Sequence, residues 1–229
     1  MSEHPIPAGD EVGKFFSDFA QTWDTLYGGK RNFFWRWFDS IFRRDVYERY
    51  QLTFERLGPD LKGKKLLDIG CGSGIYCFEA ARRGADRVVG LDAAPNMITH
   101  ARSTSKTLGI DRACEFLVGF FPTALPTPSE TPSFDYAIAL GVMDYIAEPK
   151  AFLSAMRRSV TQAAILSFPG AHWFRAPLRS WRYRLLGRPT LYTYHEADIR
   201  RLCAEAGFGS VDILRLNHSG ICYIVTARP

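Results

Sequence analysis

No uninterrupted apolar run in this 229-residue chain approaches the roughly 20 residues that a membrane-spanning helix needs. The opening Met1-Ser2-Glu3-His4-Pro5-Ile6-Pro7 has neither a basic n-region nor an apolar h-region, so the expectation is a soluble, cytoplasmic protein. Cysteine is sparse and scattered. The five residues Cys71, Cys77, Cys114, Cys203 and Cys222 are odd in number and lack Cys-x-x-Cys spacing, which points to buried thiols rather than a zinc site or a disulfide framework, and no metal is expected. No Gly-x-x-x-x-Gly-Lys-Ser/Thr occurs, so no lysine supports a bound triphosphate. Internal repeats and low-complexity tracts are also missing; Pro122, Pro126, Pro128 and Pro132 mark only a loop. A net charge of +5 gives a mildly basic surface that favours anionic ligands without identifying a nucleic-acid binder.

Against those absences stands Leu66-Leu67-Asp68-Ile69-Gly70-Cys71-Gly72-Ser73-Gly74, an apolar run ending in an acid and three alternate glycines. It predicts a strand entering a turn that cradles a nucleotide, because glycine lets the backbone lie against a ligand and the following helix aims its free N–H groups there. Val88-Val89-Gly90-Leu91-Asp92 supplies a second strand tipped by a carboxylate suited to ribose hydroxyls. From Lys64 onward short apolar runs alternate with helical stretches: strand 65–69, helix 73–83, strand 87–91, helix 94–108, strands 114–119 and 134–140, helix 149–159, strand 162–168, helix 195–206 and closing strands 209–215 and 220–227. Such alternation predicts an α/β fold, a doubly wound, Rossmann-like, mostly parallel sheet with an antiparallel C-terminal edge strand. Residues 1–60 read as an N-terminal helical cap, with Phe34, Trp37, Phe38, Ile41 and Phe42 on one helical face; 61–229 read as the cofactor-binding domain, with a lid insertion at 169–194.

The glycine pattern also discriminates among nucleotides. A dinucleotide site wants a third glycine where Ile75 stands, which weakens the nicotinamide reading. Asp68, two residues before the first glycine, suits a ligand carrying positive charge rather than a pyrophosphate. Here the chain resembles the class I S-adenosylmethionine-dependent methyltransferases, whose first motif Asp-x-Gly-x-Gly-x-Gly is matched by Asp68, Gly70, Gly72 and Gly74. The resemblance covers residues 60–227 and implies S-adenosylmethionine as cofactor. By the same resemblance, Gly70, Cys71 and Gly72 contact its methionine part, Asp92 with Ala93 and Met97 holds the ribose, and Gly119, Phe120 and Phe121 flank adenine. Ser133 to Ile146, with Leu140 and Gly141, is similar to the fourth-strand motif beside the transferred methyl. Many relatives carry Gly-Asp where this chain has Gly119-Phe120, so adenine must be held by stacking or backbone contacts. Many also carry histidine where Tyr145 stands, so that base is not carried over. Within the family, Phe19-Ala20, Trp23-Asp24-Thr25-Leu26-Tyr27 and the tail from Asn217 to Tyr223 look similar to small-molecule methyltransferases of the magnesium-protoporphyrin and ubiquinone-biosynthesis kinds.

A sulfonium methyl is already activated, so transfer needs an in-line nucleophile in a water-poor pocket. A carboxylate acceptor needs no base, whereas a phenol, alcohol or ammonium must lose a proton, making Tyr27, Asp144, Tyr145, His172 and His195 the candidate bases. His195 is equally a residue for starting the helix at 195–206. In the lid segment 172–184, Arg175, Arg179 and Arg182 alternate with aromatic rings and are the candidate substrate-binding groups for an anionic or aromatic small molecule. The alternative for that segment is a helix with its rings in the core and its arginines solvated. Lys30 to Phe38 surrounds large rings with cations, which suits a membrane surface, but at helical spacing those rings are expected in the core. An RNA substrate lacks a recognised binding module here. The expected activity is methyl transfer to a small-molecule acceptor, oxygen preferred; the rivals are an NAD(P)-dependent oxidoreductase and a non-catalytic cofactor-binding protein.

Overall fold

The computed structural model describes residues 48–125, 133–170, 191–216 and 222–229. Helical residues 48–57 (α1) precede β1 (Lys65–Ile69), α2 (Ile75–Arg82), β2 (Arg87–Asp92), α3 (Pro95–Thr107), β3 (Cys114–Val118), β4 (Phe134–Ala139), α4 (Pro149–Ser159), β5 (Val160–Pro169), α5 (Glu196–Glu205), β6 (Ser210–Arg215) and β7 (Cys222–Arg228). One seven-stranded sheet runs β3-β2-β1-β4-β5-β7-β6. The first five of these neighbours pair in parallel; β7 pairs antiparallel with both β5 and β6. The reversed C-terminal strand therefore lies one place in from the border, and β6 forms the outermost strand.

Strands covered on both faces read as near-continuous apolar runs, and alternate side chains still sort to opposite faces. Leu67 and Ile69 of β1, Val89, Ala137, Ala139 and Leu166 join the apolar cluster with α4 and α5; Leu66, Val88, Ile138 and Ile165 join the one with α1, α2 and α3. Asp68, two residues from Leu66, points to the second face, at 2% exposure. Proline opens α3 and α4, where its missing N–H is harmless. Strand β5 is longer at both ends than the expected 162–168, and Gly119 falls just beyond β3. Of the five thiols, Cys71, Cys77, Cys114 and Cys203 are buried and free, while Cys222 is half-buried.

The chain winds outward from β1 through β2 to β3, then crosses back to β4 on the other side of β1. Loops leaving β1 and β4 in opposite directions open a crevice at the carboxyl ends of the central strands, the usual ligand position in such sheets. Helix α1 is fastened beside it. Phe54 stacks on Tyr76 of α2 with ring centroids 5.9 Å apart, Arg83 lies 4.5 Å over the Phe54 ring, and Arg83 Nη1 donates to the Gly58 carbonyl at 3.0 Å. Hydrogen bonds from Arg82 and Arg83 hold the Glu79 carboxyl down at about 2, while burial and the adjacent Glu79 charge push the Tyr50 phenol up to about 12. Arg56 pairs with Asp212, tying α1 to β6 as well. The stretch expected as the rest of the N-terminal cap, 1–47, and most of the expected lid lie outside the described residues.

Candidate functional site

The loop after β1 is held in shape by its own backbone. Gly70 N and Cys71 N both donate to the Leu91 carbonyl, at 2.7 and 3.0 Å, lashing the turn to β2. Gly70 has φ +75°, and a Cβ there would stand 2.5 Å from Val142 Cγ2, so glycine alone lets the β1 loop touch the turn after β4. Gly74, with φ +88°, occupies the N-cap of α2; a Cβ there would meet Phe78 Cζ at 2.8 Å. Over Gly72 nothing lies within 4 Å of a Cβ position: the crevice is open there.

Asp92 connects this loop to the next. Its Oδ2 accepts from Gly72 N and its Oδ1 from Ala94 N, both at 2.8 Å. Burial raises its pKa and those two amides oppose the rise. Each oxygen retains a second lone pair, so the carboxylate can still accept from a ligand. Ala93 and Met97 are half-buried beside it at the start of α3. Gly119 N donates to the Asp92 carbonyl at 2.9 Å, bringing the β3 loop to the same rim. Phe120 is 43% exposed there, whereas Phe121 turns inward and packs edge-on against Phe152 with centroids 5.3 Å apart.

Asp68 lies deeper. Its Oδ2 accepts from the Cys77 thiol at 3.3 Å, a weak donor for a fully enclosed carboxyl. Burial pushes its pKa up to about 7; the thiol hydrogen bond lowers it, and the neighbouring Asp92 charge adds to the rise. Asp68 thus holds a proton up to near neutrality. Cys77 and Cys71 are pushed up too, Cys77 mainly by burial.

At the end of β4, Gly141 N donates to the buried Ser167 Oγ at 2.7 Å. Leu140 and Gly141 are half-buried at this edge of the crevice. Asp144 and Tyr145 follow in a turn closed by Tyr145 N donating to Val142 O at 2.9 Å. Tyr192 N donates to Asp144 O at 2.8 Å, and the Tyr194 hydroxyl donates to Met143 O at 3.3 Å. His195 is exposed at the N-cap of α5, its N–H donating to Asp198 Oδ2 at 3.4 Å. Tyr27, His172, Arg175, Arg179 and Arg182 lie outside the described residues. The crevice thus collects Asp68, Gly70, Cys71, Gly72, Gly74, Asp92, Gly119, Leu140 and Gly141 along one line of loops, with His195 committed to starting a helix.

Two residues at this crevice went unread in the sequence: Arg49 and Tyr76. Arg49 Nε and the Tyr76 hydroxyl are buried with no hydrogen-bond partner. Arg49 sits four and eight residues before the buried Thr53 and Leu57, a cation on the inward face of a helix, and that spacing was the available signal.

Residues 60–169 match a family described as a methyltransferase domain. It is 34% identical over 125 residues to a ubiquinone biosynthesis O-methyltransferase of Azorhizobium caulinodans, covering 55% of this chain and 47% of that protein. Over 116 residues it is 28% identical to a tRNA U34 carboxymethyltransferase of Idiomarina loihiensis, covering 49% of this chain and 35% of that one. The chain spans between a third and a half of the length of these two relatives. Its fold superposes on magnesium protoporphyrin IX methyltransferase from Synechocystis PCC 6803 with bound SAH at TM-score 0.71 and 22% identity, covering 96% of this chain and 99% of that one. Among the described residues no helix is long and apolar enough to cross a membrane.

Proposed function

We propose that this protein transfers the methyl group of S-adenosylmethionine to a small-molecule acceptor, through an oxygen atom. The observation that carries the reading is the bond from Gly72 N to Asp92 Oδ2 at 2.8 Å, which joins the glycine loop and the acid of the second strand into one rim over open space. The residues fit the cofactor: a glycine cradle for its methionine part, a buried acid beneath it, and a carboxylate with free lone pairs for ribose hydroxyls. When bound, the cofactor supplies a methyl on positively charged sulfur, which needs no metal or covalent nucleophile to leave.

The chain's own part is positioning. Gly70, Cys71 and Gly72 line the methionine end, Asp92 with Ala93 and Met97 the ribose, and the exposed Phe120 offers a ring face to adenine, with Gly119 admitting close approach. Phe121, turned into the core, supports that loop from below. Leu140 and Gly141 border the space where acceptor and methyl meet. Asp144 and Tyr145, in the turn next to it, are the described groups placed to take a proton from a hydroxyl acceptor. Arg175, Arg179 and Arg182, on the segment proposed as a lid over the domain, would grip an anionic or aromatic substrate. The ubiquinone-pathway relative's O-methylation supports oxygen as acceptor.

Titration calorimetry of the full chain with S-adenosylhomocysteine and, separately, NADH tests the reading. Binding of the first and none of the second is expected; the reverse overturns it in favour of hydride transfer. Methyl transfer from labelled S-adenosylmethionine to a panel of phenols, carboxylic acids and amines then distinguishes an enzyme from a protein that only binds the cofactor.

A further inference from the structure

The turn after β4 is fastened twice by side chains and once by backbone, all from elements other than the loops proposed to hold the cofactor. From β5, the buried Ser167 Oγ accepts from Gly141 N at 2.7 Å. From the stretch 191–194 ahead of α5, the Tyr194 hydroxyl donates to Met143 O at 3.3 Å and Tyr192 N donates to Asp144 O at 2.8 Å. Tyr194 has little freedom of its own. Its ring stands edge-on to Phe168 with centroids 5.1 Å apart, its N–H donates to Pro169 O at 2.9 Å, and it is 6% exposed. Just beyond it, His195 and Asp198 close the first turn of α5 and fix the far end of the stretch. Burial, then the Asp144 charge, then Tyr192 push the Tyr194 phenol up to about 12, which keeps it a hydrogen-bond donor through the ordinary pH range rather than a base.

We infer that Tyr194, together with Ser167, is a positioning residue for methyl transfer: the two side chains brace the turn from Gly141 to Tyr145, and through it the acceptor, independently of the tethers that hold the glycine loop. The inference rests on the proposed function, in which Leu140 and Gly141 border the acceptor and Asp144 and Tyr145 stand next to it. The tethers divide the crevice. Gly70 N and Cys71 N are bonded to Leu91 O, and Gly72 N and Gly119 N to Asp92, so the cofactor half hangs from the end of β2. The acceptor half hangs from β5 and the stretch 191–194, and the two halves meet where Gly70 faces Val142. In-line transfer is sensitive to placement, a shift of about 1 Å costing on the order of 100-fold, so loosening one half alters the rate without altering how tightly the other half binds. If Tyr194 served only the core, phenylalanine would do as well, since packing against Phe168 uses no hydroxyl.

Tyr194→Phe keeps the ring and deletes only the donor to Met143 O. In the full chain, kcat and KM are measured with labelled S-adenosylmethionine and whichever of the phenols, carboxylic acids and amines the unmodified protein methylates fastest; calorimetry gives the affinity for S-adenosylhomocysteine, and amide hydrogen exchange reads the two halves separately. The variant should lose on the order of 10-fold in kcat while its affinity for S-adenosylhomocysteine stays within about twofold. Exchange should quicken at Gly141 and Tyr145 and stay unchanged at Gly70 and Cys71. An unchanged kcat, or an affinity that falls as far as kcat, overturns the inference. Ser167→Ala removes the other brace and should show the same split, which keeps the inference exposed should Tyr194→Phe not fold: an undiminished kcat there refutes it. If the unmodified protein methylates none of the compounds, the methyl-transfer reading fails and the catalytic role of the brace falls with it, whereas exchange unmoved at Gly141 and Tyr145 refutes the brace whatever the activity.

Discussion

At the end of β2, the carboxylate of Asp92, proposed for the ribose, has both oxygens met by backbone amides at 2.8 Å. Beneath and beside the glycine loop, Asp68 has only a thiol at 3.3 Å, and the buried Arg49 Nε and Tyr76 hydroxyl make no hydrogen bond. Both ends are desolvated, yet one is complete and the other is not. Satisfied groups make a scaffold whose shape is settled before a ligand arrives; unsatisfied buried groups are stabilised by whatever supplies the missing partners. The crevice joins a half whose buried polar groups are satisfied to a half whose groups are not.

The sharpest way to break this contrast is to remove the charge problem at the incomplete end. Asp68 titrates near 3.8 when exposed and at about 7 in the fold, so between those values the native state binds one more proton than the unfolded chain. Its contribution to stability is therefore fully present below about pH 4 and is lost as pH rises through about 7. Asp68→Asn removes the dependence. The stability of the Asn variant relative to the parent should rise by about 2–3 kcal/mol between about pH 5 and about pH 8, read from urea unfolding of the ligand-free protein. A constant difference would mean that Asp68 is ionised and partnered like Asp92, and the contrast would vanish.

Asp92→Ala attacks the complete end, and a smaller effect follows. It strips the acceptor from Gly72 N and Ala94 N, loosening the bond between the two loops. Stability should fall by about 1–3 kcal/mol, and affinity for S-adenosylhomocysteine should weaken by a similar free energy. Unchanged affinity in calorimetry would detach Asp92 from the ribose.

The complete end was also the legible one. Leu66 to Gly74 and Val88 to Asp92 are local patterns, an apolar run and then an acid or glycines, and each maps onto the strand and loop it predicts because the physics acts within a few residues. The same holds for the helices, whose ends moved by only a residue or two. Non-local decisions were hidden. Nothing in the run 222–228 says that it inserts between β5 and β6, since its pairing with β5 is chosen by partners more than fifty residues away. Phe120 and Phe121 are identical letters, and only the packing of Phe152 against one of them separates an exposed ring from a core ring. Arg49 reads as one more cation in a basic, aromatic N-terminal stretch; its burial follows only once Phe54 and Arg83 dock α1 on α2.

The smallest effect gives the cleanest sign. In an ordinary buried site, deleting a tyrosine hydroxyl breaks a hydrogen bond and destabilises the fold. Tyr76 has no partner for its hydroxyl, so Tyr76→Phe removes a desolvated polar atom while leaving the ring stacked on Phe54 at 5.9 Å. The ligand-free variant should be as stable as the parent or more stable by up to about 1 kcal/mol, measured by thermal or urea unfolding. A variant less stable than the parent without ligand would show that the hydroxyl is already satisfied, and the surroundings of Tyr76 would then be as complete as those of Asp92.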